Sequence, residues 1–483
     1  MSQSTSATKV SIDRTSYLTG SLEDIIPPTH SDRTLVLCFD GTGDQFNSDN
    51  SNVVNFFSTL KKDDPKEQLV YYQSGIGTYA IPEVASPITA KITKVIDSMI
   101  GIHLNAHVMS GYEFLMQNYK AGDKICIFGF SRGAYTARAL AGMIHKVGLL
   151  PRANYQQVPF AYKMYSRDDE KGWKQSAAFK KAFSIDVDIY FLGVWDTVGS
   201  VGVFPRRLPF TTSNVHVKHF RHALALDEHR VRFMPAFWHR TSSAQHKLGL
   251  QRGEMPRSLK MGHVKSLGEL ESEYDQVQTD APTDVEEVWF AGCHCDVGGG
   301  AVANEVQHNL ARIPLRWMIR QCFLVDTGII FHRELLKYLG IDPASLHPVV
   351  HPRPTMGASV KPLYATTEEE EDILDALCPM YDELKIAPGW WILELIPTKL
   401  RYQKGDNTWA KAITQVSLSF RNRVRTHVDM SRMNRGRPRR IPRQYQEGFK
   451  VHRTVKLRME AEGLEGGKYV PRPRWSVGPT WVD

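Results

Sequence analysis

The stretch KICIFGFSRGAYTARALAGMIHKVG, residues 124–148, decides the fold of this chain. Residues 125–128 are apolar and rich in β-prone side chains, which predicts a short buried strand. Residues 134–144 are rich in alanine and leucine, with apolar positions three and four apart, which predicts a helix. The pentapeptide GFSRG, residues 129–133, joins the two. A G-x-S-x-G sequence between a strand and a helix is typical of a nucleophile elbow, a sharp turn that presents a reactive serine.

The two glycines of the pentapeptide fit this interpretation. Gly129 and Gly133 lack side chains, so the strand and the helix can approach each other closely around Ser131. We expect the Ser131 hydroxyl to be exposed at the top of a sheet, with the positive end of the helix behind it to favour negative charge. A simple Gly/Ser turn without chemistry is the alternative for this pentapeptide.

The rest of the chain alternates strand-like and helix-like stretches. Apolar runs predict strands at residues 33–39, 68–73, 187–195 and 285–292, and a helix is predicted at 103–119. This alternation favours an α/β fold with a mostly parallel sheet, helices on both faces and long insertions. In such sheets the functional groups lie at the carboxyl ends of the strands.

Two of the predicted strands end in residues that can complete a site with Ser131. Asp196 follows one of these strands, and His294 follows the other. The order Ser, Asp, His along the chain is that of the triads in α/β-hydrolases. We therefore predict that Ser131 is the nucleophile and His294 the general base, and that Asp196 orients the imidazole and stabilises its charged form.

A serine nucleophile also needs donors for the oxyanion that forms on its substrate. Two backbone N–H groups usually supply them. We expect one to be the amide of Arg132, directly after the nucleophile. The other is expected from Gly41 and Thr42, in the glycine-bearing loop that follows the first predicted strand.

Other titratable residues compete for the acid and base roles. Asp227 and His229 form a rival pair in the stretch HALALDEHR, residues 222–230, and they rank lower because we interpret this stretch as helical. Asp296 is another rival acid. The glycines at 298–300 that follow it favour a tight turn, and hence a structural role for this carboxylate.

The charge of the chain is unevenly distributed. Its 483 residues carry a net charge of +8. Residues 431–475 hold 13 Lys and Arg against 4 Glu, so the remainder is close to neutral. We predict a flexible N-terminal arm at 1–30, an α/β-hydrolase domain at 31–330, an insertion or lid-like region at 331–430 and a basic C-terminal tail at 431–483.

Composition narrows the class of protein further. The sequence has no run of about 18 apolar residues and no secretory signal, so we expect a cytoplasmic protein. Six cysteines in so long a chain do not indicate a disulfide framework. Cys293 and Cys295 flank His294, but no second Cys or His pair accompanies them. We therefore predict neither a metal site nor a cofactor.

One later stretch, PGWWILELIP at residues 388–397, is unusually apolar and aromatic, and two cations follow it. It can pack in the core, which is the simpler interpretation, or it can form a lid or a membrane-facing surface. Tryptophan beside cations is typical of segments that lie on a bilayer. The residues concerned are Trp390, Trp391, Ile392, Leu395, Ile396, Lys399 and Arg401.

Seven ordered segments resemble a known family, the domain of unknown function 2235, which includes the catalytic domain of Tle1-like type VI secretion phospholipase effectors. The resemblance covers residues 33–325 and implies an α/β-hydrolase fold with lipase- or phospholipase-like ester hydrolysis. The segments are FDGTGD at 39–44, SNVVNF at 51–56, YYQSGIGT at 71–78, GDKICIFGFSRGAYTARALAGMIHKVGLL at 122–150, FLGVWDTVGSVG at 191–202, HALALDEHRVRFMP at 222–235 and CHCDVGGG at 293–300.

Two other function classes compete with an ester or lipid hydrolase. One is a catalytically silent binding or scaffold protein on the same fold, which an intact Ser, Asp and His set disfavours. The other is a binder of nucleic acid or anionic membranes that acts through the basic C-terminal residues. These residues are rich in Arg and Pro but poor in aromatics, so we expect peripheral contact with anionic membranes and no specific nucleic-acid partner.

Overall fold

A computed structural model of the chain describes residues 24–30, 32–76, 104–199, 208–239, 282–354, 364–394, 399–403, 409–413, 434, 436–442, 448–465 and 467–483. Along these residues the strands are, in chain order, β1 (Ile25–Ile26), β2 (Thr34–Phe39), β3 (Gln68–Gln73), β4 (Lys124–Phe130), β5 (Ile189–Trp195), β6 (Val217–Ala225), β7 (Asp284–Phe290), β8 (Phe331–His332), β9 (Lys399–Gln403), β10 (Trp409–Ile413), β11 (Lys450–His452) and β12 (Thr480–Val482).

Eight of these strands form one central sheet. Their order is β12–β11–β7–β6–β5–β4–β2–β3, and every neighbouring pair is parallel. All six residues of β2 are buried. Continuous burial of this kind is typical of a parallel sheet that is covered on both faces. Two antiparallel ribbons lie outside this sheet, one made by β1 and β8 and the other by β9 and β10.

Helices cover both faces of the sheet. One apolar core includes side chains of α2 (Leu104–Asn118), α3 (Ser131–Val147) and α4 (Val158–Ser166). The other includes side chains of α1 (Asn52–Thr59), α7 (Arg312–Leu324) and α8 (Arg333–Tyr338). No helix within the described ranges is long and apolar enough to span a bilayer. The α-helices are α1 (Asn52–Thr59), α2 (Leu104–Asn118), α3 (Ser131–Val147), α4 (Val158–Ser166), α5 (Glu170–Phe183), α6 (His294–Gly298), α7 (Arg312–Leu324), α8 (Arg333–Tyr338), α9 (Glu368–Ala376), α10 (Glu383–Ile386), α11 (Trp391–Glu394) and α12 (Arg453–Glu460).

The predicted fold class, a mostly parallel sheet between layers of helices, is confirmed. The helix predicted for residues 222–230 is wrong, because β6 continues to Ala225 and a loop follows it. His222 and Ala223 pair with residues of both β5 and β7. Alanine and leucine give this stretch a helical propensity, but pairing on both sides in the middle of the sheet overrides a weak local preference.

The C-terminal region differs from the predicted basic tail. It supplies β11, α12 and β12, and two of these elements extend the central sheet. Val451 and Val455 are buried in an apolar cluster with Leu224 and Trp289 of neighbouring strands. These apolar positions were not recognised in the sequence, because the positions are few, lie far apart and stand among many cations. Residues 1–23 of the predicted arm lie outside the described residues, whereas Ile25 and Ile26 are buried.

Candidate active site

Ser131 lies where β4 meets α3, on the turn predicted from the pentapeptide. Its φ is +58°, which is uncommon for a residue with a side chain. A Cβ on Gly129 would lie 2.6 Å from the carbonyl oxygen of Gly133, inside the first turn of the helix. A Cβ on Gly133 would lie 2.3 Å from the carbonyl oxygen of Asp40, after β2. The two glycines therefore let the turn pack against both neighbouring elements.

The sheet brings Ser131, His294 and Asp196 together from three strand ends. His294 begins α6 after β7, and Asp196 follows β5 with a φ of +38°. His294 Nε2 lies 2.8 Å from Ser131 Oγ, and His294 Nδ1 lies 2.6 Å from Asp196 Oδ2. The three side chains thus form a continuous hydrogen-bonded relay.

The imidazole of His294 is enclosed by aromatic rings. The Phe130 ring lies 4.7 Å away, and the Phe233 ring meets it edge-on, also at 4.7 Å. Burial lowers the pKa of His294, while the bond and the charge of Asp196 oppose this shift. The net effect keeps the imidazole neutral near pH 7, which is the form that can accept a proton.

Ser131 is less accessible than predicted. It is 5% exposed and His294 is 3% exposed, so the prediction of an exposed hydroxyl is wrong for this conformation. A strand-to-helix turn sets only the direction of the hydroxyl; its exposure depends on what other segments pack above the strand ends. Phe233, from the loop after β6, is one of the groups that lie there.

Asp196 is held by an arginine that the sequence did not single out. Arg439 Nη1 donates to Asp196 Oδ1 at 2.6 Å, and Nη2 donates to Oδ2 at 2.8 Å. Burial would raise the pKa of Asp196, but the Arg439 charge and the bonds from His294 and Arg439 outweigh it and hold this pKa well below its usual range. Arg439 lies in the run RGRPRR, where nothing in the pattern distinguishes one arginine from the next.

A second buried ion pair borders the relay. Arg230 Nη2 donates to Glu228 Oε2 at 2.8 Å, and the backbone amide of His294 donates to the same oxygen at 3.3 Å. Burial would raise the pKa of Glu228, but the Arg230 guanidinium lowers it to about 2. Glu228 therefore acts as an ionised cap on the start of α6, whose first residue is His294.

The loop after β2 packs against the elbow. A Cβ on Gly41 would lie 2.8 Å from the Phe130 ring. The Gly41 amide already donates to Asp40 Oδ1 at 2.8 Å, and Asp40 also accepts hydrogen bonds from Ser51 and Tyr72. Asp40 thus organises this loop and occupies the Gly41 amide. Thr42 Oγ1 is buried and has no hydrogen-bond partner among the described residues.

The rival pair Asp227 and His229 is not brought together as an acid and base. Asp227 accepts hydrogen bonds from the Gly292 amide and the Tyr469 hydroxyl, and burial raises its pKa. The His229 ring contacts Asp382 at 2.8 Å and the Gly436 carbonyl oxygen at 3.0 Å. Both residues tie the loop after β6 to later parts of the chain.

Asp296, the other rival acid, lies on α6 but binds backbone groups. Its Oδ2 accepts from the Cys293 amide at 2.8 Å and from the Tyr381 amide at 3.1 Å. Burial raises the pKa of Asp296 to about 7. This carboxyl caps the helix that carries His294 and joins it to the segment before α10.

One group of side chains has the composition of a metal site. Ligand atoms of His308, Glu371 and Asp375 lie within 4.8 Å of one another. Arg312 Nη1 donates to Glu371 at 2.8 Å, and Arg316 Nη2 lies 2.7 Å from Asp375. These guanidinium groups already balance the two carboxylates, so the cluster is accounted for as an ion-pair network.

The aromatic stretch at 388–397 reaches the site through ring contacts. The Trp390 ring lies 5.4 Å from Phe233, which contacts His294. Trp391 is 44% exposed, so at this residue the stretch is surface and not core. Ile386, which precedes it, is 59% exposed. Leu395 and Ile396 lie outside the described residues.

The fold and this arrangement can be compared with known classes of protein. Ser, Asp and His follow β4, β5 and β7 of one parallel sheet, and the serine lies on a strand-to-helix turn, which resembles the arrangement in α/β hydrolases. The family model described as "T6SS, Phospholipase effector Tle1-like, catalytic domain" matches residues 33–321. The chain belongs to this family, which confirms the resemblance stated above.

Individual relatives add no assigned activity. The uncharacterized protein YEL023C of Saccharomyces cerevisiae is 40% identical over 233 residues, which cover 44% of this chain and 34% of the yeast protein. An uncharacterized protein from Pseudomonas aeruginosa has a solved structure with 16% identity and a TM-score of 0.35, and covers 74% of this chain and 52% of its own. The Tle1 effector bound to the VgrG spike of the type VI secretion system has 17% identity and a TM-score of 0.26, over 58% of this chain and 53% of its own. The chain thus spans about a third of the yeast relative and about half of each solved chain.

Proposed function

We propose that this protein is a serine hydrolase that cleaves carboxylic esters of lipids or phospholipids through an acyl-enzyme. The observation that carries the proposal is the relay from Ser131 Oγ to His294 Nε2 and from His294 Nδ1 to Asp196 Oδ2, with distances of 2.8 and 2.6 Å. Both lie within the range at which protons are transferred or held.

The relay can activate the serine without any other group. The Nδ1–H group of His294 donates a hydrogen bond to Asp196. The Nε2 atom of His294 therefore carries the lone pair that accepts the Ser131 proton. The oxygen of Ser131 then attacks the ester carbonyl carbon, and His294 returns the proton to the departing alcohol. Water follows the same route: His294 takes its proton, the hydroxide attacks the acyl group, and the proton returns to Ser131.

The oxyanion would lie between the start of α3 and the loop after β2. The Arg132 amide belongs to the first turn of α3, at the positive end of the helix, which favours a developing negative charge. Because the Gly41 amide donates to Asp40, we assign the second donor to Thr42, through its amide or its hydroxyl.

Lipid is the substrate class best supported by the surroundings. The family is named for phospholipase effectors. Trp391 and Ile386 expose apolar surface close in sequence to Trp390, whose ring contacts Phe233 beside His294, and the exposed Lys385 directly precedes Ile386. Aromatic and apolar side chains beside cations suit peripheral contact with an anionic bilayer.

A panel of esters tests the proposal. Short soluble esters, triacylglycerol emulsions and phospholipid vesicles would be incubated with the wild type, Ser131→Ala and the surface control Ser58→Ala. We expect wild-type turnover of at least one lipid ester, unchanged in Ser58→Ala and lowered by about 10³-fold or more in Ser131→Ala. Full turnover in Ser131→Ala would contradict the proposal, and no turnover by the wild type would favour a silent binding protein.

A further inference from the structure

Arg439 comes from outside the region that matches the family model, yet it reaches the centre of the candidate site. The match ends at residue 321, and Arg439 lies in the segment 436–442. Arg439 as a whole is 2% exposed. The two terminal nitrogens meet the two oxygens of Asp196 side by side, which is the strongest geometry for an arginine and a carboxylate.

The same guanidinium is fixed by two carbonyl oxygens. Nη1 also donates to Ala225 at the end of β6, at 2.8 Å, and Nη2 also donates to Phe233. Asp196 Oδ1 accepts a further bond from the Ala225 amide at 2.9 Å. The carboxylate is therefore held from one side by Arg439 and Ala225, and its Oδ2 atom is turned toward His294.

The charges around the imidazole balance in pairs. Asp196 is paired with Arg439, and Glu228 is paired with Arg230. The uncharged neighbours are the Ser131 hydroxyl, the Phe130 and Phe233 rings, and the thiol of Cys295 on α6, whose pKa is raised by burial. Arg132 follows Ser131 on α3; burial lowers its pKa to about 10, so it stays charged, and the charge of Asp44 nearby opposes this shift. A proton added to His294 would thus place a net positive charge in a buried cluster, which is unfavourable.

We propose that Arg439 is a positioning residue for the Ser131–His294–Asp196 relay: it aims Asp196 at His294 and offsets the carboxylate charge, so that His294 stays neutral in mildly acidic solution. Its effect on turnover rests on the proposed hydrolase function, whereas its effect on the imidazole does not. Arg439 acts through Asp196 and does not touch the substrate.

The test compares Arg439→Gln, which loses the charge, with Arg439→Lys, which keeps it. Arg458→Gln is the matched control, because Arg458 is also a buried arginine but donates to the Ala376 and Cys378 carbonyls. The titration of His294 is followed by NMR with ¹³C-labelled histidine, and its signal is assigned with His294→Gln. The pH dependence of kcat/KM on the best ester of the panel is measured in parallel.

We expect His294 in the wild type to titrate below its ordinary value of about 6.5. In Arg439→Gln the midpoint should rise by about one pH unit, because removing a nearby cation favours the imidazolium. The acid limb of kcat/KM should move upward with it, while Arg439→Lys and Arg458→Gln keep the wild-type midpoint. A merely structural role would lower stability in both glutamine variants and move neither midpoint.

An unmoved His294 midpoint in folded Arg439→Gln would overturn the inference. If neither Arg439 variant folds, the wild-type titration decides, because a His294 midpoint at or above about 6.5 contradicts a cluster balanced by Arg439. If the wild type shows no ester turnover but His294 shifts as expected, the inference about Arg439 stands and the proposed function fails. The two failures are therefore distinguishable.

Discussion

At the scale of single residues, the site depends on the hydrogen bonds that the buried carboxylate of Asp196 accepts. Asp196 accepts a bond from the imidazole of His294 and two from the guanidinium of Arg439. An ionised carboxylate is costly to bury unless such partners surround it. His294 lies after the end of a strand, and Arg439 lies more than 200 residues after Asp196 in the chain. Asp196 therefore joins distant parts of the chain at the site.

Asp196→Asn should lower ester turnover by on the order of 10³ to 10⁴, because an amide favours the wrong imidazole tautomer. It should also lower the melting temperature, since Arg439 then lacks its carboxylate. Asp227→Asn is the control: this residue is equally buried but lies outside the relay, so stability should fall without that loss of turnover. Ester turnover is measured at equal concentrations of folded Asp196→Asn and Asp227→Asn protein, and the comparison shows which carboxylate the reaction needs. A large loss in Asp227→Asn alone would show that the acid is assigned wrongly.

The sequence could predict part of this site and not the rest. Ser131, Asp196 and His294 were predictable because each follows an apolar strand, and the ends of parallel strands converge. Arg439 and Glu228 were not, because an arginine in a basic run and an acid in a mixed loop carry no periodic signal. Their partners are set by tertiary packing.

At the scale of elements, the turn at residues 388–390 and the helix α11 link the site to the surface. Trp390 contacts Phe233, and Phe233 contacts His294, while Trp391 is half exposed and donates its ring N–H to the Leu384 carbonyl. We propose that this exposed aromatic, so close to the site, meets the surface of a lipid substrate. Core packing of Trp391 itself, the simpler interpretation of the sequence, does not fit this exposure.

Trp391→Glu should therefore reduce turnover of phospholipid vesicles severalfold while sparing a short soluble ester, because a charge weakens insertion of the segment into the bilayer. Trp481→Glu is the matched control, since Trp481 is 36% exposed but lies on the edge strand β12. The ratio of the two activities and the melting temperature are measured for each variant. Equal loss on both substrates with a lowered melting temperature would count against an interfacial role.

Element prediction succeeded where local and tertiary preferences agree. The strand β3 was predicted with its observed bounds, and the helix predicted at residues 103–119 is observed as α2, Leu104–Asn118. It failed at β6, where a helix-favouring composition lies between two parallel partners. Interior strands of this kind gain their stability from pairing and burial rather than from propensity.

At the scale of the whole molecule, the site is assembled from distant parts of the chain. Asp40, Ser131, Asp196 and His294 follow four parallel strands, and the C-terminal region adds both Arg439 and the strands β11 and β12. A basic composition suggested a tail that binds anions. Among the described C-terminal residues, several cations form ion pairs or donate hydrogen bonds to backbone carbonyls. Lys450 pairs with Glu286, and Arg458 donates to the Ala376 carbonyl. Net charge predicts solubility and association, but not fold.

Reaction with a fluorophosphonate, followed by the mass of the intact protein and by peptide mapping, shows whether Ser131 is an activated nucleophile. Such reagents label a serine only when a base activates it within an assembled site. We expect one adduct per chain, on Ser131, which is absent in Ser131→Ala, strongly slowed in His294→Ala and lost when the protein is first unfolded in denaturant. A folded wild-type protein that takes no label, or that takes it on another serine, would contradict the proposed serine hydrolase.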